Sequence, residues 1–356
     1  MEKLKVYMIS NMYPSESSPN FGVFVRNFEH EFPDDSIQIV DKTVIYGKKK
    51  GFRLLLEYVR FIFESIKKLN RGDFDLVYVH FLQHSLIPFH FWKNSHNKKI
   101  FLNAHGTDIL GKGRFYKWMR KWNLPIFRNA DLVIVPSAFF VPKVEAIGVN
   151  KDKIEIYPSG GINPQIFYPG ESKNKLFNRV GYLGRLDKGK GVETLIRAFA
   201  ELPRENLLLE ICGPGDLEFE FKELCEMLGI TSRVKFRGNI PRHKIREIFL
   251  TWDAFVFPSE LEESLGLVGL EAMACGLPVI GSGKGGMATY LNSGKNGIVF
   301  EPGSVKDLKE KILEFYVQNQ EFRQNLSNSA IATAHRYRAE EVNSRLRKKI
   351  HTIFQS

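Results

Sequence analysis

Residues 254–286 read AFVFPSELEESLGLVGLEAMACGLPVIGSGKGG, and this stretch decides the fold. An apolar run (residues 254–257) ends in Pro258-Ser259, a turn follows, and residues 266–275 have helical composition. Gly276-Leu277-Pro278 stops that helix, and Pro278 to Ile280 is a short apolar strand. Glu263 falls in the turn before the helix and Glu271 inside it, roughly two turns later. A helix start exposes unpaired N–H groups and the positive end of a dipole, which suits a phosphate. Ser264 and Gly266 let a ligand approach the backbone there. Carboxylates on either side can accept from sugar hydroxyls flanking a diphosphate, so the pattern predicts a nucleotide-sugar site.

The same strand–turn–helix alternation runs outward in both directions. In the first half, strands are predicted at residues 5–9, 75–79, Lys99–Asn103, Leu132–Val135 and Ile154–Ile156, with a helix over residues 52–69. In the second half they are predicted at residues 179–184, 207–212, 234–236, Ala254–Phe257, 278–280 and 298–300. Between the halves, YPSGGINPQIFYPGESKNK (residues 157–175) is rich in Pro, Gly, Ser and Asn and reads as a linker. The expected organisation is α/β: two doubly wound, Rossmann-like domains at residues 1–165 and 166–338, facing a central cleft, with a closing helix at 339–356.

A chain of 356 residues with 43% hydrophobic residues can build two cores. Three scattered cysteines, Cys212, Cys225 and Cys275, supply neither a disulfide frame nor a CxxC pair. The start MEKLKVYMIS lacks the apolar core and cleavage site of a signal peptide, and no run reaches the roughly 18 apolar residues that span a bilayer. The expectation is a cytoplasmic protein able to lie against the inner face of a membrane. The net charge is +11, and the first 170 residues hold 24 Lys and Arg against 16 Asp and Glu. Such a surface attracts anionic lipid, phosphorylated acceptors or nucleic acid, of which nucleic acid is not the expected partner.

Further candidate residues follow predicted strands, where open α/β sheets bind ligands. GRLDKGKG places Arg185 and Lys190 between strand and helix, two cations able to offset charge on a leaving diphosphate. His105 follows KIFLN within NAHGTD, and Asp108 beside it has two readings, a base for an acceptor or a helix cap, of which the cap is preferred. Gly22 lies in the early loop NMYPSESSPNFGVFVRN, and Gly213 and Gly215 form a GxG after a strand. Residues 235–240, KFRGNI, add Phe236, Arg237 and Gly238. The DFD at residues 73–75 reads as a strand-entry turn, and no metal cluster is visible.

The string FVFPSELEESLGLVGLEAMACGLPVIGSGKGG, with GR-then-KG upstream, resembles the signature of retaining glycosyltransferases of family 4. The resemblance implies the GT-B fold, with acceptor-binding first and donor-binding second domains and a final helix crossing back to the first. It implies that Arg185 and Lys190 bind donor phosphates, that Glu263 contacts sugar hydroxyls, and that Ser264, Leu265 and Gly266 meet the diphosphate. Glu271 would take the ribose, His105 would face the donor sugar, and Gly22 would approach the diphosphate or acceptor. Gly213, Gly215 and residues 236–238 would line the nucleotide pocket. No cofactor or metal is implied, since the nucleotide sugar is a substrate. After Gly285-Gly286 the family usually has Pro-Glu, whereas Thr289 stands in the glutamate's place here. YPS followed by FGVFVRN resembles bacterial members that build cell-surface polysaccharides, the teichuronic-acid type among them.

Between Asp108 and Asp131 there is no acidic residue. That segment carries Lys112, Arg114, Lys117, Arg120 and Lys121, and Phe115, Trp118 and Trp122 share a helical face, a composition suited to an anionic membrane surface near an acceptor. The expected reaction is transfer of a sugar from a nucleotide diphosphate donor, UDP before GDP, to a hydroxyl of a glycan or lipid-linked acceptor. The alternatives are a nucleotide-sugar epimerase of related fold and, in another class, a non-catalytic nucleic-acid or membrane-binding protein. No GxGxxG supports a nicotinamide enzyme.

Overall fold

A computed structural model describes residues 2–19, 21–93, 97–111, 113–170, 177–203 and 205–355. The chain divides into two compact units, Met1–Gly160 with Asn343–Ser356, and Gly161–Val342. Each is built on a six-stranded parallel sheet.

The first sheet comprises β1 (Leu4–Tyr13), β2 (Ile37–Tyr46), β3 (Leu76–His80), β4 (Lys99–Asn103), β5 (Leu132–Val135) and β6 (Ile154–Ile156), in the order β2-β1-β3-β4-β5-β6. Its central strands β3 and β5 are buried throughout, the pattern of a sheet covered on both faces. The sequence reading missed β2 and ended β1 four residues early. The reason is that β2 is an edge strand whose middle residues Val40 and Asp41 are open to solvent, so it lacks the continuous apolar run of a central strand. The first strand continues through Ser10 and Asn11, both buried, in a polar run that propensity reads as its end. The final helix, Ala339–Gln355, contributes its last residues to this unit: Tyr157 donates to Asn343 Oδ1 (2.7 Å) and Arg347 Nε to the Phe32 carbonyl (2.8 Å).

The second sheet comprises β7 (Arg179–Leu183), β8 (Leu208–Cys212), β9 (Val234–Gly238), β10 (Ala254–Phe257), β11 (Val279–Gly281) and β12 (Ile298–Val299), in the order β12-β11-β10-β7-β8-β9. The strand order reverses between β7 and β10, so the loops leaving these two neighbours diverge and open a crevice at their carboxyl ends. One core cluster packs Leu195, Phe199 and Phe315 against β7 and β8, and another packs Trp252, Leu270 and Met273 against β10 and β11.

The segment expected as a linker is not loose where it is described. Ile162 and Phe167 are buried in the second unit, the Ile162 N–H donates to the Tyr337 carbonyl (2.7 Å), and Arg246 Nε donates to the Tyr168 carbonyl (2.9 Å). Its Pro and Gly content reflects an irregular path held by backbone hydrogen bonds, not freedom. Residues 171–175 lie outside the described residues.

Candidate functional site

The loops leaving β7, β8, β10 and β11 meet at the carboxyl end of the second sheet. Lys190 Nζ donates to Glu263 Oε1 (2.7 Å), and the Ser259 hydroxyl donates to the same oxygen (2.6 Å). Two loops 73 residues apart in sequence are therefore joined at one carboxylate. Arg185 extends into solvent and pairs with Asp187 in its own loop. The backbone between is fixed: Tyr182 donates to the Arg185 carbonyl (2.8 Å), and the Glu260 N–H to the Gly189 carbonyl (2.8 Å).

The ESLG turn is held from below. Gly285 bridges Glu263, the Gly286 N–H donates to the Glu263 carbonyl (2.7 Å), and Tyr290 donates to the Gly266 carbonyl (2.9 Å). The helix that follows, Leu267–Ala274, has Gly266 as N-cap and no side-chain cap from it. Ser264, Leu265 and Gly266 thus lead backbone amides and a helix dipole toward the Lys190–Glu263 pair. Thr289 Oγ1 donates to the Gly286 carbonyl (2.6 Å), so the residue in the glutamate's usual place closes a turn of its own loop.

Glu271 sits within that helix with only 4% of its surface exposed. Burial raises its pKa, and the Arg242 guanidinium at 2.8 Å opposes the rise. Arg242, Ser259 and Asp187 are site residues that the sequence reading missed. Ser259 stood in the quoted motif, but Arg242 lies in the loop after β9 and is joined to Glu271 only by the fold.

The glycines of the GxG are explained by packing. Gly213 has φ +125°, and a Cβ there would stand 1.9 Å from the Gly184 carbonyl oxygen; at Gly215 it would meet the Leu186 carbonyl at 2.3 Å. The β8 loop therefore presses on the backbone that carries Arg185. On β9, Arg237 is committed to Glu210 (2.7 Å), and the Gly238 carbonyl accepts the Gly213 N–H (2.7 Å). Phe236 is half-buried beside Lys222.

In the first unit His105 follows β4, and its Nε2 lies 3.1 Å from His80 Nδ1 at the end of β3. Burial pushes the His105 imidazole down to about 3 and His80 lower than usual, so both rings are neutral at physiological pH. Phe24 packs against His105 at 4.1 Å between ring centres. His80 was legible by the same strand-end rule that found His105. Asp108 corrects the reading as a helix cap: it lies inside the short helix Thr107–Leu110 and reaches backwards. Its carboxylate accepts the N–H groups of Gly106 (2.8 Å), His105 (3.0 Å) and Leu82 (3.1 Å), clamping the histidine's loop. Gly22 stands at φ +71° before the helix Val23–Glu31, with the Met12 carbonyl carbon 2.7 Å from where a Cβ would be.

In the helix Arg114–Asn129, Arg114, Lys117, Trp118 and Lys121 are exposed, and Arg120 Nη2 donates to the Gly111 carbonyl (3.0 Å). Trp122 is half-buried and stacks on His90 at 3.9 Å. Lys112 lies outside the described residues. Among the described residues no group of His, Cys, Asp and Glu is placed to hold a metal ion, and no helix is long and apolar enough to cross a membrane.

Two family models match successive parts of the chain: residues 20–161 match Glycosyltransferase Family 4, and residues 168–333 match Glycosyl transferases group 1. A D-inositol 3-phosphate glycosyltransferase of Corynebacterium jeikeium is 33% identical over 197 residues, 49% of this chain and 46% of that protein. The sulfoquinovosyl transferase SQD2 of Arabidopsis thaliana is 29% identical over 252 residues, 66% of this chain and 48% of that protein. The chain spans about half the length of these curated relatives. The structure of Anabaena Alr3699/HepE in complex with UDP and glucose superposes with a TM-score of 0.77 at 19% identity, covering 98% of this chain and 100% of that one. Sucrose-phosphate synthase from Thermosynechococcus elongatus gives 0.79 at 18% identity, covering 99% and 100%. These structures share the GT-B fold, which is the fold of this chain.

Proposed function

We propose that this chain, which matches the Family 4 model over residues 20–161 and the group 1 model over residues 168–333, is a glycosyltransferase that transfers a sugar from a UDP-sugar to a hydroxyl of a glycan or lipid-linked acceptor in cell-surface polysaccharide synthesis. The observation that carries the donor assignment is the Lys190–Glu263–Ser259 cluster beside the Leu267–Ala274 helix start, at the strand-order reversal of the second sheet. Anabaena HepE, whose fold this chain shares, is described with UDP and with UDP-glucose, which favours a uridine donor.

In this reading the bond between the anomeric carbon and the β-phosphate oxygen breaks, and UDP leaves with the electron pair. The acceptor hydroxyl oxygen bonds to the same face of that carbon, so configuration is retained, and its proton passes to the departing phosphate. Lys190, Arg185 and the helix-start amides meet the charge that grows on UDP, a task that calls for no bound metal. Glu263 holds the sugar, and Glu271 accepts from the ribose. Lys190→Ala should lower turnover about 10²–10³-fold, as for other preorganised charge contacts. Turnover within a few-fold of wild type, measured with a UDP-sugar whose binding is first established by thermal shift, would overturn the phosphate assignment.

A further inference from the structure

Donor chemistry leaves one large feature of the first unit without a role. The helix Gly51–Arg71 has two apolar faces. Phe61 and Leu69 are buried against the sheet. Phe52, Leu55, Leu56, Val59 and Phe63 follow one another at helical spacing on the other side and are exposed, Phe52 to 72% and Phe63 to 70%. The helix Arg114–Asn129 adds exposed Phe115 and Trp118. The two helices are joined by ring contacts: Tyr58 lies 5.1 Å from His84, His84 5.7 Å from Phe115, and Phe115 6.1 Å from Trp118. A contiguous apolar surface of this kind marks an interaction site.

The rim of that surface selects its occupant. Lys48, Lys49 and Lys50 are exposed immediately before the first helix, and Arg53 and Lys67 along it. The helix's acids are already neutralised, Glu57 by Arg60 (2.9 Å) and Glu64 by Lys68 (2.8 Å). Arg114, Lys117 and Lys121 are exposed on the second helix. Lysine is depleted at protein–protein interfaces, whereas Lys and Arg around Trp, Phe and Leu suit the boundary between headgroups and acyl chains. We propose that this face docks the protein on an anionic lipid bilayer. Phe52, Leu55, Leu56, Val59, Phe63 and Trp118 enter the acyl boundary, and the lysines and arginines lie over the headgroups. The segment of residues 114–122 is then one edge of a surface centred on the helix Gly51–Arg71. The face is independent of the transfer reading, which rests on the second unit.

The test is co-sedimentation of the full chain with vesicles of phosphatidylcholine alone and of phosphatidylcholine with phosphatidylglycerol. Wild type should bind the anionic vesicles at low salt, and binding should weaken in high salt and on neutral vesicles. Phe52→Ser with Phe63→Ser should reduce binding about tenfold or more, and Lys49→Gln with Lys50→Gln about tenfold. Trp118→Phe should remove a blue shift of tryptophan emission that accompanies binding. A circular-dichroism spectrum and melting temperature equal to wild type show that each variant is folded. Absence of anionic-vesicle binding at low salt, equal binding to neutral vesicles, or unchanged binding by the Phe52/Phe63 variant would overturn the proposal. So would a wild-type dimer that this variant converts to a monomer.

Discussion

Replacing Arg242 by Gln leaves Glu271 as a carboxyl group buried to 4% exposure without its guanidinium partner, and the consequence can be worked out in size and in sign. Breaking a fully buried pair costs about 3–5 kcal/mol. The Arg242 side chain is 48% exposed, so solvent already screens part of the attraction, and about 1–3 kcal/mol is the expected loss. In a unit of this size that is roughly 2–4 °C of melting temperature per kcal/mol. Burial already raises the Glu271 pKa in the wild type, and Arg242 limits the rise. A native-state pKa above the unfolded value means that the native state holds the proton longer. Stability is then full below the unfolded pKa and is lost as pH rises through the native one. Removing Arg242 moves the native pKa further up, so the deficit of Arg242→Gln should be small near pH 5 and full by pH 8.

Binding should show the opposite trend. If ionised Glu271 accepts from ribose hydroxyls, Arg242→Gln weakens the donor most at low pH, where the carboxyl is protonated, and least at high pH. Urea unfolding of wild type, Arg242→Gln, Glu271→Gln and the double variant at pH 5 and pH 8, with UDP titrations alongside, measures both. On the Glu271→Gln background the Arg242 deficit should shrink below about 0.5 kcal/mol. A deficit equal at the two pH values, or undiminished on that background, would refute the argument.

Two further outcomes follow from the loops. Gly213→Ala places a methyl 1.9 Å from the Gly184 carbonyl oxygen at φ +125°, so it should cost at least about 2–3 kcal/mol in chemical denaturation and reduce UDP binding through the displaced β7 loop. Asp108→Asn keeps the size of the clamp but turns one acceptor into a donor facing backbone N–H groups. A loss of about 1–3 kcal/mol should appear in the unfolding of the first unit while UDP affinity stays at the wild-type value.

What the sequence disclosed follows from the range of its signals. The strands β3, β4, β5, β8 and β10 are buried apolar runs, so periodicity and composition found them nearly to the residue. The edge strand β2 was missed because Val40 and Asp41 in its middle are exposed and polar Lys42 follows them, and an edge needs no continuous apolar run. At the site, Arg185, Lys190, Glu263 and Glu271 were legible as motif members, but their partners were not. Lys190 and Glu263 were assigned separate tasks, phosphate and sugar, yet the fold puts them in contact across 73 residues. Arg242 reaches Glu271 from another loop, and no local pattern signals that meeting. The glycines Gly213 and Gly215 were read as lining a nucleotide pocket, and the structure gives them a duty against the β7 loop.

The pairing of each cation with a carboxylate bears on how the proposed donor site would meet a diphosphate. Arg185 is held by Asp187, Lys190 by Glu263 and Arg242 by Glu271. An anionic ligand reaching Lys190 therefore exchanges one negative partner for another, and the exchange frees a Glu263 oxygen for sugar hydroxyls. The Lys190–Glu263 pair is partly exposed on both sides, 26% and 17%, so it is worth about 1 kcal/mol, or roughly fivefold in affinity. Glu263→Gln removes the internal competitor. It should bind UDP up to about fivefold more tightly than wild type in calorimetric titration, while sugar transfer slows because the carboxylate is gone. Tighter product binding with slower turnover separates competition from scaffolding. If Glu263→Gln instead weakens UDP tenfold, the carboxylate serves to hold Lys190 in place, and the exchange argument fails.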